Sequence, residues 1–163
     1  MARKIAYAAM MAALAMIFSY VEALIPFSFG VPGIKLGLAN LVVLVGLYFM
    51  EQQLVFGILI TRIVLSGFLF ANLSTLLYSL AGGIVSFGVM LLLKRIKGFS
   101  IVGVSIAGGV SHNIAQLVVA AVVVENRYVF SYLPILLTAG MVTGMLIGIV
   151  GERVKPYLVK GKN

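Results

Sequence analysis

Six long apolar runs constrain the fold of this chain more than any other feature of its sequence. They cover residues 5–25, 36–50, 54–70, 73–93, 101–124 and 128–150. A helix needs about 20 apolar residues to cross the hydrocarbon core of a bilayer, and all the runs except the second come close to that length. Hydrophobic residues make up 63% of the chain, which is more apolar surface than a soluble domain of 163 residues needs. We therefore predict an all-α membrane protein, a single domain of six transmembrane helices over residues 1–163.

The basic residues predict which side of the membrane each helix end faces. With alternating helices and the N terminus inside, nine Lys and Arg residues fall in the inner segments and two, Lys35 and Arg127, in the outer ones. This bias follows the positive-inside rule and predicts a multi-pass protein of the plasma membrane with both termini cytoplasmic. A cleaved signal peptide over the first run is disfavoured, because the run is too long and its removal would reverse the bias.

Composition excludes several functions. The net charge of +8 does not indicate nucleic-acid binding, because the basic residues lie at the ends of the runs, where they meet anionic lipid headgroups. Cysteine and aspartate are absent and histidine occurs once, so the sequence has no recognisable set of metal ligands and we expect neither metal nor cofactor. No Walker loop of the form G-x-x-x-x-G-K-[ST] is present, so energy for active transport would come from partner subunits.

Polar side chains within the runs predict an internal cavity. With the helices alternating in this direction, the strongly polar residues fall at mid-depth or in the outer half. They are Glu22, Asn40, Arg62, Ser74, Thr75, Tyr78, His112, Asn113 and Gln116. The inner half keeps little more than Tyr48, Ser86 and Ser105. Because polar groups in a membrane face water, a ligand or one another, we predict a cup that opens outward and is closed inward.

Arg62 lies at the middle of the third run. It is about 12 to 15 Å from either end of its helix, at a rise of ~1.5 Å per residue. An Arg at this depth costs several kcal/mol unless it meets water or a partner. One interpretation is an anion anchor, because the guanidinium fork suits a carboxylate or phosphate. The other is a structural pair with Glu22 or with backbone carbonyls, and both hold if such a pair positions the Arg.

His112, Asn113 and Gln116 form the densest polar cluster in any run. His112 and Gln116 are four residues apart and therefore share a helix face. We interpret the cluster as the wall of a ligand site at the depth of Arg62. The alternative is hydrogen bonding between helices, at about 1 kcal/mol per bond.

The segment before the second run predicts the mouth of this site. Pro32 and Gly33 form a turn, and the helix N terminus that follows can face a bound anion. Lys35 would add charge there, or else it snorkels from a surface hairpin. Glu22 would pair with Lys35, with Arg62 or with a cationic group of the ligand. The further candidate binding residues are Lys35, Asn40, Glu22 and Tyr78, with residues 26–35 as a lid.

Small residues spaced four apart predict close contacts between helices. The pairs in the first run are Ala8 with Ala12 and Ala9 with Ala13, and the sixth run carries Gly140, Gly144 and Gly148. Packing inside the protein accounts for the glycine ridge. A face of the first helix that carries one alanine pair would instead suit docking of a partner membrane subunit.

Four stretches of the sequence resemble one family. They are residues 31–41 (VPGIKLGLANL), 61–72 (TRIVLSGFLFAN), 78–83 (YSLAGG) and 109–116 (GVSHNIAQ). Over nearly the whole chain the sequence resembles the Gx transporter family, whose members are often labelled heptaprenyl diphosphate synthase component I. Ala115 stands where many relatives carry Gly. The family is in turn similar to the substrate-binding S components of energy-coupling factor (ECF) transporters.

The resemblance implies a function for the cavity. S components bind a vitamin or similar solute in an outward pocket and deliver it by toppling against a transmembrane coupling subunit driven by two ATPases. Their first helix docks through an Ala-x-x-x-Ala face, which here would be Ala8 with Ala12 or Ala9 with Ala13. We expect a small polar solute in a pocket lined by Arg62, His112, Asn113 and Gln116. Arg62 would anchor its acidic or phosphorylated group.

The synthase label implies a second function, an accessory membrane protein of isoprenoid or quinone synthesis. Prenyl elongation needs aspartate-rich motifs that hold magnesium, whereas this chain has no Asp and only the scattered Glu22, Glu51, Glu125 and Glu152. We therefore expect no enzyme activity from the chain alone. Within transport, the alternatives are a facilitator or a proton-coupled carrier with His112 or Glu22 as relay, although the paired repeats typical of carriers are not evident.

Overall fold

The fold is a bundle of α-helices of membrane-spanning length around one short helix. The computed structural model describes residues 2–24 and 37–160 of the chain. Its α-helices are α1 (Ala2–Leu24), α2 (Asn40–Phe49), α3 (Gln52–Phe70), α4 (Leu73–Arg95), α5 (Ile101–Val123) and α6 (Leu133–Lys160). Five of them are long and apolar enough to cross a membrane, whereas α2 has only 10 residues. The predicted all-α membrane class is thus confirmed.

Polar side chains set the start of two helices. The Asn72 side chain accepts a hydrogen bond from the Thr75 backbone N–H at 2.8 Å and caps α4. The Ser100 hydroxyl accepts one from Gly103 N–H at 3.0 Å and caps α5 in the same way. Such caps satisfy amide groups that have no partner inside the helix. Both helices begin where the apolar runs predicted.

Two helices differ from the predicted runs because of local backbone geometry. The second run predicted a helix from residue 36, but α2 begins at Asn40, since Gly37 has a φ of 84° and cannot continue a right-handed helix. The sixth run predicted a helix from residue 128. Instead, Asn126 caps a short 3-10 helix, Arg127–Tyr132, and α6 follows from Leu133 and extends to Lys160.

The short helix α2 lies in the interior of the bundle. It contacts α1, α3, α4 and α6, and seven of its ten residues are buried. Leu44 and Leu47 pack against Val55 and Leu59 of α3 in the largest apolar cluster. At its last turn, the Lys94 ammonium donates to the Leu47 carbonyl. A cation is favourable at this position, because the carbonyls that end a helix have no partner within it.

Glycines bring α5 and α6 into backbone contact. A Cβ atom on Gly144 would lie 2.7 Å from the Ile106 Cα and 2.8 Å from the Ser105 carbonyl oxygen. A Cβ on Gly140 would lie 2.9 Å from the carbonyl oxygen of Gly109. In a membrane, close approach of this kind replaces the hydrophobic driving force between helices. The glycine ridge of the sixth run is therefore used in packing within the chain.

Several charged contacts lie at one end of the bundle. We call it the basic end and define it by Lys4, Lys94, Arg95 and Lys155. Lys4 forms an ion pair with Glu51 at 2.5 Å. Lys94 and Lys155 lie 5.2 and 6.0 Å from the centre of the Tyr48 ring. At the opposite end, Tyr20 of α1 contacts Phe70 of α3 at a centroid distance of 5.1 Å. The helices therefore alternate in direction as predicted, while the cytoplasmic placement of the basic end stays a prediction from charge.

Candidate functional site

The polar cluster of α5 is buried inside the bundle. His112 and Asn113 are almost fully buried, and Gln116 is 0% exposed. The Nε2 atoms of Gln116 and His112 are 2.8 Å apart. The Asn113 amide donates to the Leu136 carbonyl of α6 at 2.8 Å. Hydrogen bonding between helices, the alternative interpretation of the cluster, thus accounts for the Asn113 amide.

Gln116 keeps an unused acceptor. If its amide nitrogen donates to His112 Nε2, the imidazole proton resides on Nδ1. The Gln116 Oε1 atom is then left without a hydrogen-bond partner among residues 2–24 and 37–160. A buried amide oxygen without a partner costs about 1–3 kcal/mol, so a donor on a ligand would be stabilised there.

A glycine on α4 makes room for this cluster. A Cβ atom on Gly82 would lie 2.8 Å from Gln116 Cγ and 2.9 Å from the His112 ring. Any larger residue at this position would push both side chains away from α4. Tyr78, a candidate from the sequence, is buried one turn earlier on the same helix. The YSLAGG stretch therefore contributes the surface against which His112 and Gln116 pack.

Arg62 lies beside the N terminus of α2. It is 7% exposed, and its Nη2 atom donates to the Asn40 side-chain oxygen at 3.3 Å. Its Nε has no hydrogen-bond partner within the part of the chain that the structure describes. Its charge also interacts with the Glu22 carboxylate. Both interpretations of Arg62 stay open, because it has a charged neighbour and an unused donor.

Glu22 connects α1 to the start of α2. It is 7% exposed, and its carboxylate accepts a hydrogen bond from the Gly37 backbone N–H. Glu22, Asn40 and Arg62 therefore join three helices through polar groups. Lys35 and the predicted lid at residues 26–35 lie outside the described residues.

A small cavity with several polar side chains in its lining lies between α2, α4, α5 and α6. Its lining residues are Asn40, Ser86, Met90, Ser105, Gly108, Gly109, His112, Asn113, Thr143, Gly144 and Ile147. It has room for about one water molecule. The candidates Asn40, His112 and Asn113 line it, whereas Arg62 lies behind Asn40. Any larger solute would need the helices to separate.

The cavity extends further toward the basic end than the sequence predicted. Ser86, Ser105 and Thr143 line it but were not among the candidate residues. Ser86 is 1% exposed, and its hydroxyl has no hydrogen-bond partner within the described ranges. Ser86 and Ser105 stood out in the sequence as polar exceptions in the inner half. That signal, together with glycines on facing helices, would have identified this part of the cavity.

The two alanine pairs of α1 lie in different surroundings. Ala8 and Ala12 pack against the cluster that Val42 and Ile58 form inside the bundle. Ala9 and Ala13 are exposed. A partner could therefore reach the second pair without any change in the bundle.

Five helices of membrane-spanning length, packed around a short central helix, define a multi-pass α-helical membrane protein. The family described as heptaprenyl diphosphate synthase component I matches residues 11–154. The chain belongs to this family, which confirms the resemblance found in its motifs. No curated protein and no solved structure matches the chain.

Proposed function

We propose that the chain is the substrate-binding membrane subunit of an ECF-type uptake transporter. It captures a small polar solute with an acidic group from the side opposite the basic end. The observation that carries this proposal is the buried cavity lined by Asn40, His112 and Asn113, with the Arg62 guanidinium directly behind Asn40. Polar groups at this depth are expensive to keep in a membrane and usually mark a ligand or ion site.

The cavity chemistry favours a solute with both hydrogen-bonding and acidic groups. The Ser86 hydroxyl lines the cavity, whereas Gln116 Oε1 lies outside its lining, next to His112. Both atoms are buried and unpartnered among the described residues, so they favour hydrogen-bonding edges of a ligand. Arg62 Nε offers a charged donor beside the cavity. An Arg fork holds a carboxylate or phosphate more tightly than it holds a neutral amide.

A test of binding compares two arginines. The full chain is purified in detergent and examined by native mass spectrometry for a retained small molecule. Arg62→Ala should lose that molecule, whereas Arg127→Ala should keep it, because Arg127 is exposed and does not line the cavity. Normal retention by folded Arg62→Ala protein would remove Arg62 from the site.

Docking to a coupling subunit would use the exposed alanine face of α1. Ala9 and Ala13 leave a shallow strip where a partner helix can approach closely. Ala9→Leu and Ala13→Leu should therefore block copurification with a coupling subunit while solute retention continues. Ala23→Leu, which also lies on an exposed position of α1, serves as the control and should not alter copurification. Unchanged copurification of both Ala9 and Ala13 variants would exclude this face.

The name of the family favours a second candidate, an accessory membrane protein of isoprenoid or quinone synthesis. In that role a polyprenyl diphosphate synthase, and not a coupling subunit, would be the partner. Affinity purification of the tagged chain from its native membranes separates the two. Recovery of ATPase and coupling subunits supports uptake, and recovery of a prenyl synthase supports the accessory role.

A further inference from the structure

The turn before α2 already holds a carboxylate from within the chain. The Gly37 N–H donates to the Glu22 carboxylate. The Gly37 carbonyl accepts a hydrogen bond from the Asn40 N–H at 2.8 Å. Glu22 thereby caps the turn from which α2 begins. The Gly37 N–H belongs to the turn before α2, and the partial positive charge at the start of that helix stabilises an anion nearby.

A second positive group lies at the same place. Arg62 donates to Asn40, the first residue of α2, at 3.3 Å, and it interacts electrostatically with Glu22. Its Nε has no hydrogen-bond partner among the described residues, although Arg62 is only 7% exposed. The Gly37 N–H and the Arg62 guanidinium together offer an anion one backbone donor and one charged donor. Glu22 competes with any solute for these donors.

We propose that Glu22 occupies, in the empty protein, the position that the acidic group of the solute takes on binding. The inference rests on the proposed function, since it concerns the same site. Two carboxylates beside one guanidinium repel each other, so the solute group enters as Glu22 leaves Gly37. The preferred solute then carries one carboxylate or phosphate, together with neutral polar groups that face His112 and Asn113.

Displacement of Glu22 has a mechanical consequence. The Glu22–Gly37 bond ties α1 to the start of α2, whereas Tyr20 and Phe70 tie it to α3. Loss of the first contact removes one of the ties that hold this end of α1. Binding of the solute would thus loosen the helix that carries Ala9 and Ala13.

The test uses acetate and inorganic phosphate as probes on the full purified chain. Binding is measured from the shift in thermal unfolding temperature, against sodium chloride at equal ionic strength. Glu22→Gln keeps the size of the side chain but removes the competing charge, so both probes should bind about ten-fold more tightly than to wild type. Arg62→Gln should abolish probe binding. Glu152→Gln, which changes an exposed carboxylate at the basic end, should behave as wild type.

Equal or weaker probe binding by Glu22→Gln overturns the inference. If Glu22→Gln does not fold, cross-linking in a chain that has no native cysteine gives the answer. A Tyr20→Cys, Phe70→Cys protein treated with a short thiol-reactive cross-linker should cross-link more slowly as acetate or phosphate is added. A rate that neither probe changes also overturns the inference.

The failure of this inference and that of the proposed function give different results. If Glu22→Gln gains probe binding but wild type retains no small molecule in native mass spectrometry, the competition of Glu22 with anions stands and solute capture fails. If wild type retains a molecule that Glu22→Gln loses, Glu22 binds a cationic group of the solute. In that case the inference fails and the proposed function stands.

Discussion

The two halves of the bundle are packed by different means. In α4–α6, glycines let helices touch through their backbones, as where Gly109 meets Gly140. In α1–α3, side chains such as Val42 and Ile58 fill the space between helices. Backbone contacts cannot give way without moving a whole helix, whereas side chains can change rotamer. The comparison indicates that α4–α6 is the stiffer half.

The polar site lies where these halves meet. His112 and Asn113 come from α5, while Asn40 and Arg62 come from α2 and α3. A cavity with room for about one water must widen to admit a solute. Widening costs least along the boundary between the halves, because α5 and α6 are in backbone contact.

The largest effect is expected from a methyl group in the glycine contact. Gly144→Ala places a Cβ atom 2.7 Å from the Ile106 Cα, so α6 must move away from α5. We expect a loss of about 3 kcal/mol in the free energy of unfolding, measured by thermal or denaturant unfolding in detergent. Gly88→Ala is the control, because nothing lies within 4 Å of its Cβ position. Equal stability of the two variants would mean that α4–α6 is not the stiffer half.

A smaller effect is expected from overfilling the other half. Ala12→Leu inserts a larger side chain beside Val42 and Ile58, where neighbouring side chains can shift. We expect a loss of about 2 kcal/mol by the same measurement. Ala13→Leu, on an exposed position of α1, should leave stability unchanged. An equal loss in Ala13→Leu would show that α1 is rotated from the orientation described.

Removal of one hydrogen bond between α5 and α6 should have a still smaller effect. Asn113→Ala deletes the donor to the Leu136 carbonyl, at a cost of about 1 kcal/mol. Thr138→Val is the matched control, because that hydroxyl bonds to carbonyls of its own helix. A loss well above that from Gly144→Ala would mean that polar contacts, and not glycines, hold α5 to α6.

The smallest effect is expected at the basic end of α1, where Lys4 pairs with Glu51. A hydrogen bond and the charge of Lys4 lower the pKa of the exposed Glu51 carboxyl, so their pair stabilises the fold above the usual Glu range. That contribution is lost as pH falls through the lowered pKa, when the carboxylate is protonated. Comparison of unfolding temperatures across pH should show this acid-side loss in wild type but not in Lys4→Gln. Lys97→Gln, at an exposed position of the α4–α5 connection, should retain the loss.

The sequence predicted the helices better than it predicted the cavity. Apolar length and the capping residues Asn72 and Ser100 depend on local sequence, so α4 and α5 begin as expected. The spacing of His112 and Gln116 predicted a shared helix face, where their side chains lie 2.8 Å apart. The positive φ of Gly37 depends on the turn that this residue occupies, which the sequence does not show. The predicted start of α2 at residue 36 was therefore wrong.

Contacts between distant segments account for what the sequence did not predict. The bond from Gly37 to Glu22 joins residues that are 15 positions apart. Ser86 and Ser105 line one cavity because α4 and α5 meet at Gly108, which no periodicity within one run predicts. The separation of Ala8 and Ala12 from Ala9 and Ala13 likewise depends on how α1 is rotated against its neighbours.

The 10 residues of α2 extend for only about 15 Å, roughly half the thickness of a hydrocarbon core. Since other helices surround it and Lys94 satisfies a carbonyl at its end, α2 has no need to match the lipid. Hydrophobic mismatch acts on the outer helices, which can tilt as bilayers thicken or thin. The geometry around Asn40 and Arg62 is thereby insulated from changes in lipid chain length.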